Sequence, residues 1–425
     1  MRYRKAALAV SILFAGVSLV GCSGDSGGAA PADGKIGGTL TGVWDATYKA
    51  ALDPVVKGFE KKYPDVKVDI NYIGGDIDKL ISTQLQAGSA PDLLLTYPGG
   101  APGGGASLKV VSMASQNQLM DLSSSAWTST VPKQWKADVS QEGKTYAYPG
   151  AVQGLGALYN KTKMDELGLK PPQTLSDVYA FCDAAKDAGV YAYAQGLGEA
   201  TAGPQMLSYA QTGTLVYGPD PDFTKKQNEG SATFQDSAWK TQLDIYKKMS
   251  AEGCFGEGAL GRSRQQGADA VAAGKALGIV DVSAVLAGIK AAAPKNTYDL
   301  QAMPATESAA DSYMLALPIY TLAVNAKTKN PTTAKAFIEF LAEPENTNLF
   351  AEGCKSIPAI PNDSFAPPVE LKQFTDLVKD GKFTTIPTWP NAEVQVVLNE
   401  AVQSMLLGKD SPEDVLKKMQ DAFDQ

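Results

Sequence analysis

The spacing of apolar residues changes character several times in the first part of the chain. Thr39 to Trp44 reads as a strand leading into a turn. Tyr48, Leu52, Val55, Val56, Phe59 and Tyr63 then recur every three or four positions, the mark of one helix face, until Pro64-Asp65 stops it. Val66, Val68, Ile70 and Tyr72 alternate with polar residues, as a half-buried strand does. Ile77 to Ala87 returns to helical spacing, Gly88 ends it, and Leu93-Leu94-Leu95 is a short buried strand. The order β-α-β-α-β predicts an α/β body with a largely parallel sheet.

Later helices announce their starts. Thr174 with Asp177, and Ser411 with Asp414 and Pro412 at the first helical position, have the form of capping boxes. Asn330-Pro331 opens a helix with Ala334, Phe337, Ile338 and Leu341 on one face. Val394, Val397, Leu398, Ala401 and Met405 form another, and the Ala- and Gly-rich centre from Ala268 to Ala293 also reads as globular. No repeat of fixed period stands out.

The N-terminus speaks about compartment. Arg2, Arg4 and Lys5 precede an apolar or small run from Ala6 to Val20. That run is shorter than the roughly 20 residues of a membrane span and suits a signal-peptide core. It closes on Leu19-Val20-Gly21-Cys22, which resembles the lipobox of bacterial lipoproteins. The resemblance implies cleavage before Cys22, lipidation of its thiol, and residues 1–21 as signal peptide; an ordinary signal peptide is the alternative. Residues 22–38 are mostly Gly, Ser, Ala, Asp and Pro and are expected to form a tether. As a coil, the sixteen residues after Cys22 would span about 20–24 Å.

The 38 basic and 46 acidic residues give a net charge of −8. Removing Arg2, Arg4 and Lys5 with the signal peptide takes it to −11. An acidic body without clustered Lys and Arg is a poor partner for nucleic acid or an anionic bilayer surface. The chain has no histidine, which removes His metal sites, Ser/His/Asp and Cys/His nucleophilic pairs and histidine acids. Nothing suggests a cofactor, and Cys182, Cys254 and Cys354 lack the CxxC spacing of structural zinc. Cys182 lies on an apparent helix face with Val178, Phe181 and Ala185 and reads as a core thiol. Cys254 with Cys354 is then the pairing left for a disulfide.

Several segments occur in the order found in one family. Glu142-Gly143-Lys144-Thr145-Tyr146-Ala147-Tyr148-Pro149, followed by Ala157-Leu158-Tyr159-Asn160-Lys161, resembles the lobe-crossing region of the maltose-binding-protein-like, extracellular sugar-binding proteins. Phe59 to Pro64 and Gln84 to Leu93 lie upstream in the expected order. Ala273 to Leu277, Leu322 to Ala326, Pro331 to Leu341, Ser356-Ile357-Pro358, Leu407-Gly408-Lys409 and Met419-Gln420 follow downstream. The resemblance covers nearly all of the mature chain. It implies a two-lobed periplasmic-binding-protein-like fold of type II, with α/β lobes joined by hinge strands. The crossings would fall near Gln153, Ile319 and Phe365. Lobe one would hold 39–152 and 320–365, and lobe two 153–319 and 366–425. The implied protein is a monomer that binds a carbohydrate between its lobes and delivers it to the permease subunits of an ABC transporter. It would sit on the extracytoplasmic face of the cell membrane through its lipid, with the ATPase on a separate subunit.

Sugar chemistry selects the candidate residues. A pyranose packs its C–H face on an aromatic ring, and its hydroxyls need planar polar partners. Trp44 and Asp45 end the first strand, and Tyr97 follows the Leu93-Leu94-Leu95 strand. Gly99 to Gly105 lacks a following GK[ST] and reads as a rim loop. Gln153 falls where relatives often carry an acidic residue, while Gln195 and Glu199 follow Tyr191-Ala192-Tyr193. Asp281 precedes Val282-Ser283-Ala284, where the family's usual tryptophan is missing, so Trp389 is the expected stacking platform, with Tyr320 as a further candidate. No catalytic residues are assigned. A two-carboxylate glycosidase needs no histidine and would work in the same compartment. The same fold could instead bind a polyamine, metal chelate or phosphate ester, and a structural or adhesive lipoprotein is a third class.

Overall fold

A computed structural model of the chain describes residues 34–425, apart from 75–76, 101–107, 200–202, 388 and 392. The signal peptide, Cys22, most of the tether and most of the Gly99–Gly105 segment therefore lie outside the described residues. No described helix is long and apolar enough to cross a membrane.

Two sheets organise the molecule. The first contains β1 (Gly38–Asp45), β2 (Val66–Ile73), β3 (Leu93–Thr96), β4 (Ala147–Tyr148) and β10 (Thr321–Val324), in the order β2-β1-β3-β10-β4. β1 pairs in parallel with β2 and β3, and β10 runs against β3 and β4. The parallel part follows from the alternation of strands with the Lys49–Lys62 and Ile77–Gln86 helices. Phe59 on the first of these helices packs edge-on to Phe337, centroids 5.2 Å apart, and so joins it to the Pro331–Leu341 helix.

The second sheet is built around β5 (Ala151–Asn160), all ten of whose residues are buried. β6 (Tyr191–Tyr193), β7 (Ala276–Val282), β8 (Tyr298–Gln301), β9 (Met314–Pro318), β11 (Ile357–Pro358) and β12 (Phe383–Thr384) complete it. The path is β12-β9-β5-β7-β6, and β8 and β11 also pair with β5. Around it the Trp239–Ala251, Glu393–Leu406 and Pro412–Phe423 helices bury a separate apolar cluster containing Tyr217, Phe234, Trp239 and Tyr246.

The chain passes between the sheets where β4 gives way to β5 and where β9 gives way to β10, across two residues each time. The segments touch there. Ile319 N–H donates to the Ala151 carbonyl at 3.0 Å, and Ala359 N–H donates to that of Gly150 at 3.2 Å. Gly150 has φ +67°, and a Cβ there would stand 2.4 Å from the Tyr320 carbonyl oxygen, so only glycine fits this contact.

The cysteine pairing differs from the sequence expectation. Cys182 and Cys254 form the disulfide, Cα atoms 4.8 Å apart, and Cys354 is a buried thiol. Cys182 does lie on the buried face of the Leu175–Asp187 helix. Helical spacing shows that a face is buried but not what covers it, and here the turn after the Trp239–Ala251 helix brings Cys254 onto it. Tyr193 N–H donates to the Cys254 carbonyl at 3.0 Å and fixes that turn beside β6.

Candidate functional site

The ends of β1 and β3 and the start of β10 place four aromatic side chains together. Tyr320 is at their centre: its ring lies 4.9 Å from Tyr48, 5.4 Å from Tyr97 and 6.5 Å from Trp44, centroid to centroid. Tyr48 meets it at an interplanar angle of 89°, the edge-to-face arrangement aromatic pairs favour. The Tyr320 hydroxyl donates to Asp45 Oδ2 at 3.1 Å, and the Tyr97 hydroxyl donates to Asp78 Oδ1 at 2.8 Å. Burial, aided by Asp78, pushes the Tyr97 phenol well above its usual range. Burial, with Tyr48 and Asp45 adding to it, does the same for Tyr320. Both phenols therefore keep their protons, which they donate to Asp45 and Asp78.

The second lobe presents a different set. Asp281, next to last in β7, is 1% exposed. The Arg264–Ala272 helix begins with a Ser263/Gln266 capping box and offers its first residue to that carboxylate. Arg264 Nε donates to Asp281 Oδ2 at 2.7 Å, and Nη2 donates to Oδ1. Val282 N–H donates to the same Oδ1 at 2.7 Å, and Arg264 N–H donates to Glu199 Oε1 at 2.9 Å. Burial opposes the Arg264 charge, but hydrogen bonds and attraction from Asp281 outweigh it and hold the guanidinium above its ordinary proton affinity. A Cβ on Gly196 would stand 2.6 Å from Arg264 N, so the loop carrying Glu199 approaches this helix start through a glycine.

The Arg264 charge acts on Tyr48 of the first set. Burial raises the Tyr48 phenol above its usual range, Cys354 and Asp45 add to the rise, and Arg264 of the other lobe lowers it. Among the described residues no group of three or more His, Cys, Asp or Glu is arranged to hold a metal ion.

Of the residues selected from sequence, Trp44, Asp45, Tyr97 and Tyr320 fall in the first set, and Glu199 and Asp281 in the second. Trp44 is 1% exposed and backs the cluster from the core. Asp281 faces Arg264. Both ends of the Gln195 amide engage the Val280 backbone, at 2.9 and 3.1 Å, so that side chain extends the strand pairing. Gln153 stands on β5 opposite Leu317, 6% exposed, and its amide oxygen has no hydrogen-bond partner among the described residues. Trp389 is half-buried and makes its ring contacts elsewhere, with Phe234, Tyr209 and Trp239 at 5.8, 6.2 and 6.2 Å, against the aromatic core of the second lobe. Tyr320, the further candidate, lies at the centre of the ring cluster of the first set. Sequence reasoning missed Tyr48, Asp78 and Arg264. Tyr48 was absorbed into a helix face, while the Ser263-x-x-Gln266 spacing, a helix-start signal that was not read, does not reveal that Arg264 meets Asp281.

Residues 44–348 match the family model described as bacterial extracellular solute-binding protein. The melibiose/raffinose/stachyose-binding protein MelE of Bacillus subtilis is 24% identical over 299 residues, 69% of this chain and 67% of its own. The galactooligosaccharide-binding protein of the same organism is 24% identical over 430 residues, 94% of this chain and 92% of its own. Among solved structures, that titled SBP RafE in complex with raffinose superposes with a TM-score of 0.75 at 18% identity, covering 91% of this chain and 98% of its own. A Bacillus licheniformis sugar transporter in complex with stachyose gives 0.68 at 20% identity, covering 91% and 99%. These are similarities of sequence and fold. The family model spans most of the chain, and the protein belongs to the bacterial extracellular solute-binding proteins.

Proposed function

We propose that the protein captures a neutral mono- or oligosaccharide between its lobes and delivers it to the permease of an ABC importer. The observation that carries this reading is the Tyr320 cluster, where four rings meet two carboxylates, with Arg264 of the Arg264–Asp281 pair near enough for its charge to act on Tyr48. Rings offer a stacking surface to pyranose C–H groups, and the carboxylates, phenols and guanidinium supply both senses of hydrogen bond. The names of the relatives support it: those proteins bind melibiose, raffinose, stachyose and galactooligosaccharides. Contact residues in this reading are Asp45, Tyr48, Tyr97, Tyr320 and Arg264, with Gln153 and Glu199 at the margin. The lobes, 39–152 with 320–365 and 153–319 with 366–425, close on the ligand as rigid bodies. Binding, not turnover, is the activity. The mature monomer is held on the outer face of the membrane by a lipid on Cys22.

The test is a thermal-shift screen of the purified protein against mono- and oligosaccharides, spermidine and phosphate esters. A ligand at 100 times its dissociation constant adds about 2.7 kcal/mol of stability. A sugar-dependent shift that Tyr320→Ala reduces supports the reading, and a shift with spermidine or a phosphate ester but no sugar overturns it. For the anchor, Cys22→Ala should release the protein from membranes into the soluble fraction. Unchanged membrane retention of that variant would remove the lipoprotein assignment.

A further inference from the structure

A second pocket lies where the two sheets join, and none of its lining residues belongs to the saccharide contacts named above. Its volume is about 310 Å³, at the small end of the range for ligand sites. Separate stretches of chain build it. Trp135 comes from the Lys133–Lys136 helix, ahead of β4 in the first sheet. Val152 of β5 and Pro358 of β11 come from the strands that meet where the chain crosses between the sheets. Phe365 follows β11, and Thr375 and Val378 lie on the Lys372–Lys379 helix, which packs on β8 and β9 of the second sheet. The Trp135 ring also lies 5.6 Å from that of Phe383 on β12. The walls thus belong to both sides of the crossing.

The lining has little to offer a polar ligand. The Thr375 hydroxyl donates to the Leu371 carbonyl at 2.9 Å. Asn362 and Asn348 exchange amide hydrogen bonds, and the Asn362 oxygen also accepts from the Ser364 hydroxyl. Asp363 and Lys379 stand exposed on the rim with opposite charges, so neither sign of ligand charge is favoured. A saccharide here would press hydroxyls against Val152, Pro358 and Val378 and leave them unpaired, which costs binding. An apolar ring meets no such penalty, and Trp135 and Phe365 offer it ring surfaces.

We propose that this pocket is an effector site for a neutral, largely apolar molecule of one or two rings. The occupant touches segments on both sides of the crossing at once, so its binding depends on how the two sheets are set against each other. Two ligands that depend on one arrangement are coupled, and the coupling is reciprocal. Val152 is the neighbour of Gln153 on β5, with the two side chains on opposite faces of the strand. The pocket itself stands independently of the carbohydrate reading, while its effect on saccharide affinity rests on that reading.

The experiment is titration calorimetry with indole as the probe, alone and at saturation during titration of the saccharide that shifts the wild-type protein most. It compares wild type with Val378→Trp, which fills the pocket, and Val378→Lys, which places a charge in it. Val369→Trp is the control, the same change at a position 77% exposed and outside the pocket. Indole is expected to bind wild type and Val369→Trp alike and to lose its binding in both Val378 variants. Saturating indole should change saccharide affinity about 5-fold or more in wild type and leave it unchanged in Val378→Trp. No indole binding to wild type, or equal binding in the folded Val378 variants, overturns the site. Indole binding that leaves saccharide affinity unchanged overturns the effector role. Failure of every saccharide to bind overturns the carbohydrate reading instead, and the indole titrations still decide whether the pocket is a site.

Discussion

Tyr320 makes three ring contacts and one hydrogen bond, and every one of them joins it to another candidate site residue. Its position between β9 and β10 accounts for this, since the crossing leaves its side chain between the strand ends of the first lobe. Asp138 shows a different effect of burial. Its carboxyl is raised to about 6 by burial, with Lys109 pulling the other way. The folded protein therefore holds this proton more tightly than the unfolded chain does. That contribution to stability is complete below about pH 4, fades as pH climbs towards 6, and is absent above it. Asp138→Asn should flatten this part of the curve, as measured by melting temperature between pH 4 and 7. A variant with the wild-type pH profile would count against the burial account. Asp45, Tyr97 and Tyr320 were legible as site candidates because they end or adjoin strands in a recognisable order. Arg264 was not, because its partner is 17 residues away and the contact depends on how one helix start meets one strand end.

Helices and strands were read with fair accuracy where local chemistry defines them. The capping boxes at Thr174 and Ser411 are both formed in the structure. The strand read from Val66 to Tyr72 is Val66–Ile73, and the helix opened by Asn330-Pro331 is Pro331–Leu341. Capping involves residues three apart and strand alternation involves residues two apart, so both survive without tertiary context. The disulfide joins elements instead, closing a sequence separation of 72 residues between the Leu175–Asp187 helix and the turn after Trp239–Ala251. Cross-links of this kind contribute about 2–4 kcal/mol, through the restricted unfolded chain in the entropic account. Reduction, or Cys182→Ser with Cys254→Ser, should lower the denaturant midpoint accordingly without changing sugar affinity greatly. An unaltered midpoint would show that the bridge contributes nothing to stability. Cys354 should stay inert to thiol reagents in the native protein, since burial both blocks it and raises its proton affinity.

At the scale of the molecule, the two crossings between the sheets and the Ile357–Pro358 strand meet at Gly150 and Ala151, and aromatic packing continues between the two parts, the rings of Trp135 and Phe383 lying 5.6 Å apart. A short pivot of this kind is what the proposed hinge closure requires. Saturation with the bound sugar should reduce the radius of gyration seen by small-angle X-ray scattering, and an unchanged radius would argue against closure on the ligand. The sequence by itself determined the alternation of strands and helices, the absence of histidine chemistry and the order of segments that marks the family. These follow from composition and from spacings of a few residues, which local sterics and burial impose on any context. Only the tertiary structure decided that Cys182 and not Cys354 pairs with Cys254, and that Trp389 packs against Phe234, Tyr209 and Trp239. It alone brought Arg264, Asp281 and Glu199 together, and gathered Tyr48 and Tyr97 around Tyr320. Contacts between distant segments depend on how whole elements pack, and a periodic pattern records that a face is covered without recording by what.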